Sequence, residues 1–436
     1  MTKVAVQWLT ISVASFLFLM PPAPANLAIA QQFAEPGTHT PVSAMAALSA
    51  NHYKYKPLYD FCGSDNCPYN PNGDLIFDAA GNLYGTTFQG GDFGAGVAFQ
   101  LSPQSDGTWK HTTLFEFNGK DQGGNPRAGL AMDAAGNLYG TTTEDGAFGE
   151  GTVFELSPSG DGTWKLATIL TFNGKNGAVP QAHLILDAAG NLYGTTTAGG
   201  DPACDGNGCG TVFELSPIAN GTWKHTVLLK FDVKNGVGSY APLIFDAAGN
   251  LYGTAAGGGK FNDGLVFELS PQSNGVWRQT TLFTFDGTDG SLPLGGLVFD
   301  AAGNLYGTTA NGGRFNTGTV FELSPQDKGS WKHTTLLAFH LANGSFPAAG
   351  LIFDPAGNLY GNAQDGHFGE GIVFQLSPQG NGKWKETTLL TFNQKNGLAE
   401  PVGVLLLDSA GNLYDSALLG GKRGGGVVFE LSPVSR

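Results

Sequence analysis

Seven copies of one short string constrain this chain more than any other feature. "DAAGNLYGTT" opens at Asp78 and returns, whole or edited, from Asp133, Asp187, Asp246, Asp300, Asp354 and Asp408, at intervals of 55, 54, 59, 54, 54 and 54 residues. A fixed period of this size marks a repeat architecture, in which no unit buries its apolar face alone and neighbours must stack. The one long interval comes from extra residues around Cys204 and Cys209.

Each unit reads as four short strands. In the third, "HLILD" (His183 to Asp187) is a continuous apolar run, called strand a; "NLYGTTT" (Asn191 to Thr197) is strand b; "TVFELS" (Thr211 to Ser216) is c; "TWKHTVLLKF" (Thr222 to Phe231) is d. β-Branched and aromatic runs bounded by Gly, Asn, Asp and Pro are strand signals, and no segment holds a helical period for three turns. The 67 glycines fit a chain made of turns. Seven four-stranded units, with strand a apolar on both faces, predict an all-β fold: a seven-bladed β-propeller whose blades each pack between two others. The last copy stops after strand c, "GVVFELSPVSR", while "YKYKPLYDF" (Tyr53 to Phe61) aligns with "WKHTTLFEF" (Trp109 to Phe117). The N-terminal strand is therefore expected to complete the final blade and close the ring. An open stack would need atypical capping repeats.

Ahead of the propeller, assigned to residues 52–436, Lys3, the apolar run Val4 to Met20, Pro21-Pro22 and the small residues Ala28 and Ala30 read as an export signal over residues 1–30. That run is shorter than the roughly 20 residues a membrane span needs. Residues 31–51 read as a disordered leader. The expected destination is extracellular or periplasmic, with no transmembrane anchor after signal cleavage. Two C-x4-C pairs, Cys62 with Cys67 and Cys204 with Cys209, read as loop-pinning disulfides of an oxidising compartment. A single four-cysteine zinc site is the alternative, disfavoured because the pairs belong to different repeats.

The formal net charge of -14 argues against a nucleic-acid groove or an anionic membrane surface, both of which need clustered Lys and Arg. No G-x-S-x-G elbow and no H-E-x-x-H pattern occurs, and "DGTDG" (Asp286 to Gly290) lacks the ligand spacing of a calcium loop. No catalytic residue, metal site or cofactor is expected, and the chain reads as a monomer.

The repeated aspartate has two readings. It can shape the a-b turn, accepting backbone hydrogen bonds while the Gly three residues later takes a left-handed conformation. Alternatively, seven aspartates could ring the channel around a cation. Pro355, at the turn position where proline is favoured, supports the turn. The a-b and c-d turns are nearly identical between units, whereas the d-a and b-c loops vary and hold both cysteine pairs. Variable loops on a rigid scaffold are where binding resides. On that face a loose P-x-[AG]-x-L approach to strand a offers two side chains per blade. The first four blades supply the polar set Asn72, Asp74, Arg127, Gln181, His183 and Tyr240, a candidate ligand pocket, against the alternative of drift at exposed loop ends. Phe93, Phe148, Phe261, Phe315 and Phe368 recur in the b-c loops; packing against the next blade is the favoured reading, stacking on sugar rings the other. His111, His225 and His333 lie in the outer strand and read as surface decoration.

D-x-A-G-N-L-Y-G-T, the Gly-Gly that follows, G-T-V-F-E-L-S-P and W-K-x-T-T-L-L-x-F together resemble the GloVer (Gloeobacter/Verrucomicrobium-type) tandem repeat, over the whole mature chain. The resemblance implies an exported choice-of-anchor protein with no settled biochemical activity; the end at Arg436, without an anchor, favours a released or periplasmic form. The expected function is a non-catalytic propeller that binds a glycan or a surface protein through its d-a/b-c face. One alternative is a secreted polysaccharide hydrolase or lyase using Asp74, Arg127, His183 and Tyr240 as its acid-base set. A purely structural envelope protein is another.

Overall fold

The computed structural model describes residues 53–63, 67–202, 204, 206–365, 371–393 and 398–434, so the expected export signal and leader lie outside the described residues. Seven antiparallel sheets form the seven blades of a β-propeller. Blade 1 runs Ile76–Phe77 (a), Leu83–Gln89 (b), Val97–Pro103 (c) and Trp109–Glu116 (d). Blades 2 to 6 repeat this order from strands a at Ala131–Met132, Ile185–Leu186, Ile244–Phe245, Val298–Phe299 and Ile352–Phe353. In blade 7, strands a, b and c are Leu406–Leu407, Leu413–Gly420 and Gly424–Pro433. Its outer strand is Tyr53–Cys62, which pairs antiparallel with strand c from Tyr53 opposite Pro433 to Cys62 opposite Gly424. The ring is thus closed by a blade built from both ends of the described chain.

The expected turn forms in every copy. In blade 1, Asp78 Oδ1 accepts the backbone N–H of Ala80 and of Asn82, both at 2.9 Å, and Oδ2 accepts Asn82 Nδ2 at 2.7 Å and the Tyr84 hydroxyl at 3.1 Å. Gly81 takes φ 82°, the left-handed region open to a residue without Cβ. Burial pushes the Asp78 carboxyl up, but the four donors outweigh it and hold the group below the usual carboxylate range. Asp, Gly, Asn and Tyr of the motif therefore satisfy one another, with no acceptor pointed at a foreign ligand.

Strand a differs from its sequence reading in length. Only two residues of each apolar run pair with strand b, as in Ile76 opposite Tyr84 and Phe77 opposite Leu83. The preceding arm returns to its own strand b only at its head, as where Tyr69 and Pro71 face Gln89 and Thr87, and along the way it also bonds to the neighbouring blade. Thr86 Oγ1 of strand b in blade 1 donates to the carbonyl of Ala128 in the arm of blade 2, and Thr195, Thr254 and Thr308 do the same for Ala241, Gly295 and Ala349. The residue at the head of each arm also crosses the seam. Asn125, Val179 and Leu292 each donate N–H to a b-c loop carbonyl of the preceding blade, at 2.8, 2.9 and 3.1 Å, while their carbonyls accept Thr143, Thr197 and Ala310 of their own blades. This clamp demands positive φ, which Asn70, Asn125, Val179, Leu292, Phe346 and Glu400 all adopt.

The core lies between blades. Phe99, Phe154, Phe213, Phe267, Phe321 and Phe374 of strands c are fully buried, because both faces of a middle strand meet apolar neighbours. Strand b makes room for them with a glycine: a Cβ on Gly85 would lie 2.8 Å from the Phe99 ring, and one on Gly361 2.7 Å from Phe374.

His111 and His333 correct the expectation of surface decoration. Each stacks at 4.5 Å on the outer strand of the preceding blade, His111 on Tyr59 and His333 on Phe283, and burial pulls both imidazoles down to about 4. His225 packs against Phe213 and is lowered by the same cause. An outer strand leaning on its neighbour is no free edge.

Candidate functional site

The d-a and b-c loops share one face, as the cross-seam bonds between them require. The second variable position of each arm converges on the axis: Asp74, Gly129, His183, Pro242, Gly296, Gly350 and Val404. The approach is close, since a Cβ on Gly350 would meet Val404 Cγ2 at 3.1 Å and one on Gly296 would meet Pro242 Cγ at 3.1 Å. Asp74 and His183, from blades 1 and 3, are brought into contact, with His183 Nδ1 2.5 Å from Asp74 Oδ2. They meet across Gly129 of blade 2, where a Cβ would fall 2.9 Å from the Asp74 Cβ. The other carboxylate oxygen, Oδ1, accepts the Val404 N–H of blade 7 at 2.5 Å. One side chain thereby ties blades 7, 1 and 3 at the mouth of the axis.

Arg127 and Tyr240 form a second group, one position farther from the axis and two blades apart. The Arg127 guanidinium lies 4.0 Å above the Phe88 ring. Burial draws Arg127 down to about 10, with the Glu144 carboxylate and then Tyr240 acting the other way. Burial raises Tyr240, and the nearby Arg127 charge opposes it. Asn72 and Gln181 hold the matching positions of blades 1 and 3, half-buried; the Asn72 carbonyl accepts Thr86 Oγ1 at 3.0 Å. Four of the six polar residues expected at the pocket therefore come together as two groups, a carboxylate–imidazole pair and a cation–phenol pair, and Asn72 and Gln181 belong to neither.

The b-c loops overturn the favoured reading of their phenylalanines. Phe93, Phe148, Phe261 and Phe315 are 65%, 63%, 48% and 47% exposed and do not pack against the next blade; Phe368 lies outside the described residues. Each sits at the tip of a glycine-rich hairpin whose backbone bonds are local, as in Gly94 N–H to Gly91 C=O. Lys260 Nζ rests 4.6 Å from the Phe261 ring, the Arg314 guanidinium 5.2 Å from Phe315, and His340 meets Phe315 edge-on at 5.6 Å. The disulfides Cys62–Cys67 and Cys204–Cys209 are formed, both beside this face.

The opposite face carries the invariant turns. A cavity of about 930 Å³ opens there between blades 6 and 7, lined by residues including Tyr53, Pro355, Tyr360, Leu405 and Pro433. Tyr53, which lines it, stands where the other six outer strands place the larger Trp. Among the described residues no group of three or more His, Cys, Asp or Glu is arranged to hold a metal ion, and no helix is long and apolar enough to cross a membrane.

Fold and loops together define a β-propeller built from tandem repeats. The chain belongs to the Gloeobacter/Verrucomicrobia repeat family, whose profile matches residues 43–221, 205–399 and 299–436. Among solved structures it is similar to the crystal structure of a protein of unknown function from Dyadobacter fermentans DSM 18053, at 11% identity and a TM-score of 0.44, over 88% of this chain and 99% of that one. No curated protein matches it.

Proposed function

We propose that this protein is an exported, non-catalytic propeller that binds a glycan or a surface protein through its d-a/b-c face. The observation that carries this reading is the set of phenyl rings standing in water on blades 1, 2, 4 and 5. Folding gains almost nothing from a Phe left exposed, and single exposed apolar residues need no explanation. Four at equivalent positions around one ring offer a multivalent apolar contact, in which a long or repeated ligand touches several blades at once. The pocket residues Asn72, Asp74, Arg127, Gln181, His183 and Tyr240 supply polar selectivity at the centre of the same face. Asp74, with both oxygens engaged by His183 and Val404, suits a positioning role better than acid-base chemistry.

Fully burying a phenyl contributes roughly 1.5–3 kcal/mol, and these rings have about half of their surface still to bury, so each engaged ring is worth roughly three- to tenfold in affinity. For a ligand identified on glycan and surface-protein arrays, alanine at Phe93, Phe148, Phe261 and Phe315 together is expected to abolish measurable binding while leaving the melting temperature close to that of the parent. Arg127→Ala and Tyr240→Phe are expected to change which ligands bind. Unchanged binding by the four-fold variant would remove the rim from the site.

A further inference from the structure

Blade 7 breaks the repeat at one buried point. In the other six blades the third residue of strand b is glycine, here it is Asp415, and its side chain is 1% exposed. The seam beside it breaks the repeat too: Asn362 of blade 6 stands where blades 1 to 5 carry Thr, and it is equally buried. Asn362 Nδ2 donates to the Gly403 carbonyl at 2.7 Å, replacing the threonine hydroxyl bond of other seams, and also to Asp415 Oδ2 at 2.8 Å. Asp415 Oδ1 accepts the Ser416 N–H at 2.7 Å. Gly403 completes the set, since a Cβ there would lie 2.6 Å from Asp415 Oδ1. Asn362, Gly403 and Asp415 are thus fitted to one another at a single seam.

One atom in this cluster is unsatisfied. Asn362 Oδ1 is buried with no hydrogen-bond partner, a state that costs about 1–3 kcal/mol for a neutral acceptor. An ionised Asp415 has no proton to offer it. A carboxylic acid does, and the acid and the amide then satisfy each other in both directions.

We propose that Asp415 is carried in the folded protein as a neutral carboxylic acid, paired reciprocally with the Asn362 amide, and that this pair makes the seam between blades 6 and 7 the pH-sensitive fastening of the ring. The charged group facing it is Asp74 from the arm of blade 1, itself bound to His183; the Asn362 strand and Ser416 bring no charge, and Glu400, at the head of the Gly403 arm, has Asp365 as its charged neighbour instead. Complete burial first, and then the Asp74 carboxylate, hold Asp415 well above the usual carboxylate range against the donors from Ser416, Asn362 and Gly403. The sign follows from proton counting. An acid that keeps its proton when folded and loses it when unfolded gives its full stabilisation below about pH 4, and that stabilisation declines as pH rises toward the folded-state value.

The test compares wild-type protein with Asp415→Asn and with the double variant Asn362→Thr, Asp415→Gly, which restores the repeat at this seam. Urea unfolding between about pH 5 and about pH 7 is expected to show the wild-type folding constant falling relative to the double variant by up to about tenfold per pH unit, the slope of one proton. In infrared difference spectra at neutral pH, wild type is expected to show the carbonyl stretch of a protonated acid that Asp415→Asn lacks. Parallel pH profiles, or identical spectra in that region, overturn the proposal. Should neither variant fold, the wild-type spectrum decides alone: the absence of any protonated-acid band at neutral pH overturns it.

Discussion

Val179 shows how far the ring geometry overrides a residue's own preference. A β-branched side chain at φ 53° is held in a region that costs an L-residue about 1–2 kcal/mol, and proline follows it directly. The clamp explains why the conformation persists, because its N–H bonds across the seam to Glu150 while its C=O accepts Thr197 of its own blade. Blades 1 and 2 use Asn at the same position, a residue that tolerates the left-handed region. Val179→Asn is therefore expected to stabilise the protein by roughly 0.5–1 kcal/mol, recovering part of that cost, with the denaturation midpoint as the readout. The turn aspartates were legible in the sequence because their partners lie within six residues. Asp415 was legible only as an oddity: Asn362 comes from another blade, and nothing local says that the two meet.

Among elements, the outer strands carry the most information that the sequence concealed. Alternation in "WKHTTL" suggests a solvent-facing edge, yet each d strand bulges by one residue against strand c and leans on the d strand before it. Strand existence and order follow from local pattern, but contact between non-consecutive strands follows from ring closure. His111 and His333 give this contact a pH signature. Both are neutral in the fold, so the stability they lend is complete above about 6.5, the ordinary histidine value, and is lost as pH falls through about 4. His111→Phe with His333→Phe is expected to flatten the fall in melting temperature over that window. Parallel wild-type and variant curves would mean the imidazoles are not excluded from water. The exposure of the b-c loop phenylalanines is hidden in the sequence for a related reason: recurrence alone does not tell packing from display.

For the whole molecule the decisive feature is the composite blade. Among the described residues strand c of blade 7 has Tyr53–Cys62 as its one outer partner, so deleting residues 53–62 exposes an unpaired edge and the buried Phe429 and Leu431. That deletion is expected to convert one cooperative unfolding transition into a broad, early one and to promote self-association, both visible by calorimetry and light scattering. A deletion that left a sharp transition at the parent temperature would show that the ring is held by its seams alone. Within the described residues, blade count, strand order and closure were all readable from the period and from the complementary strands at its two ends; the length of strand a and the contacts at the axis were not, since they depend on how seven arms crowd together.

The pairing of Tyr53 with Pro433 also sets a schedule for biosynthesis. The outer strand of blade 7 is made first and its partner last, so during synthesis Tyr53–Cys62 must wait, unpaired and partly apolar, while six blades emerge behind it. Closing so long a loop is entropically costly and slow compared with forming a single four-stranded unit. The propeller is most exposed to misassociation just before strand c of blade 7 emerges, and a chaperone holding it until then would act chiefly on its waiting outer strand.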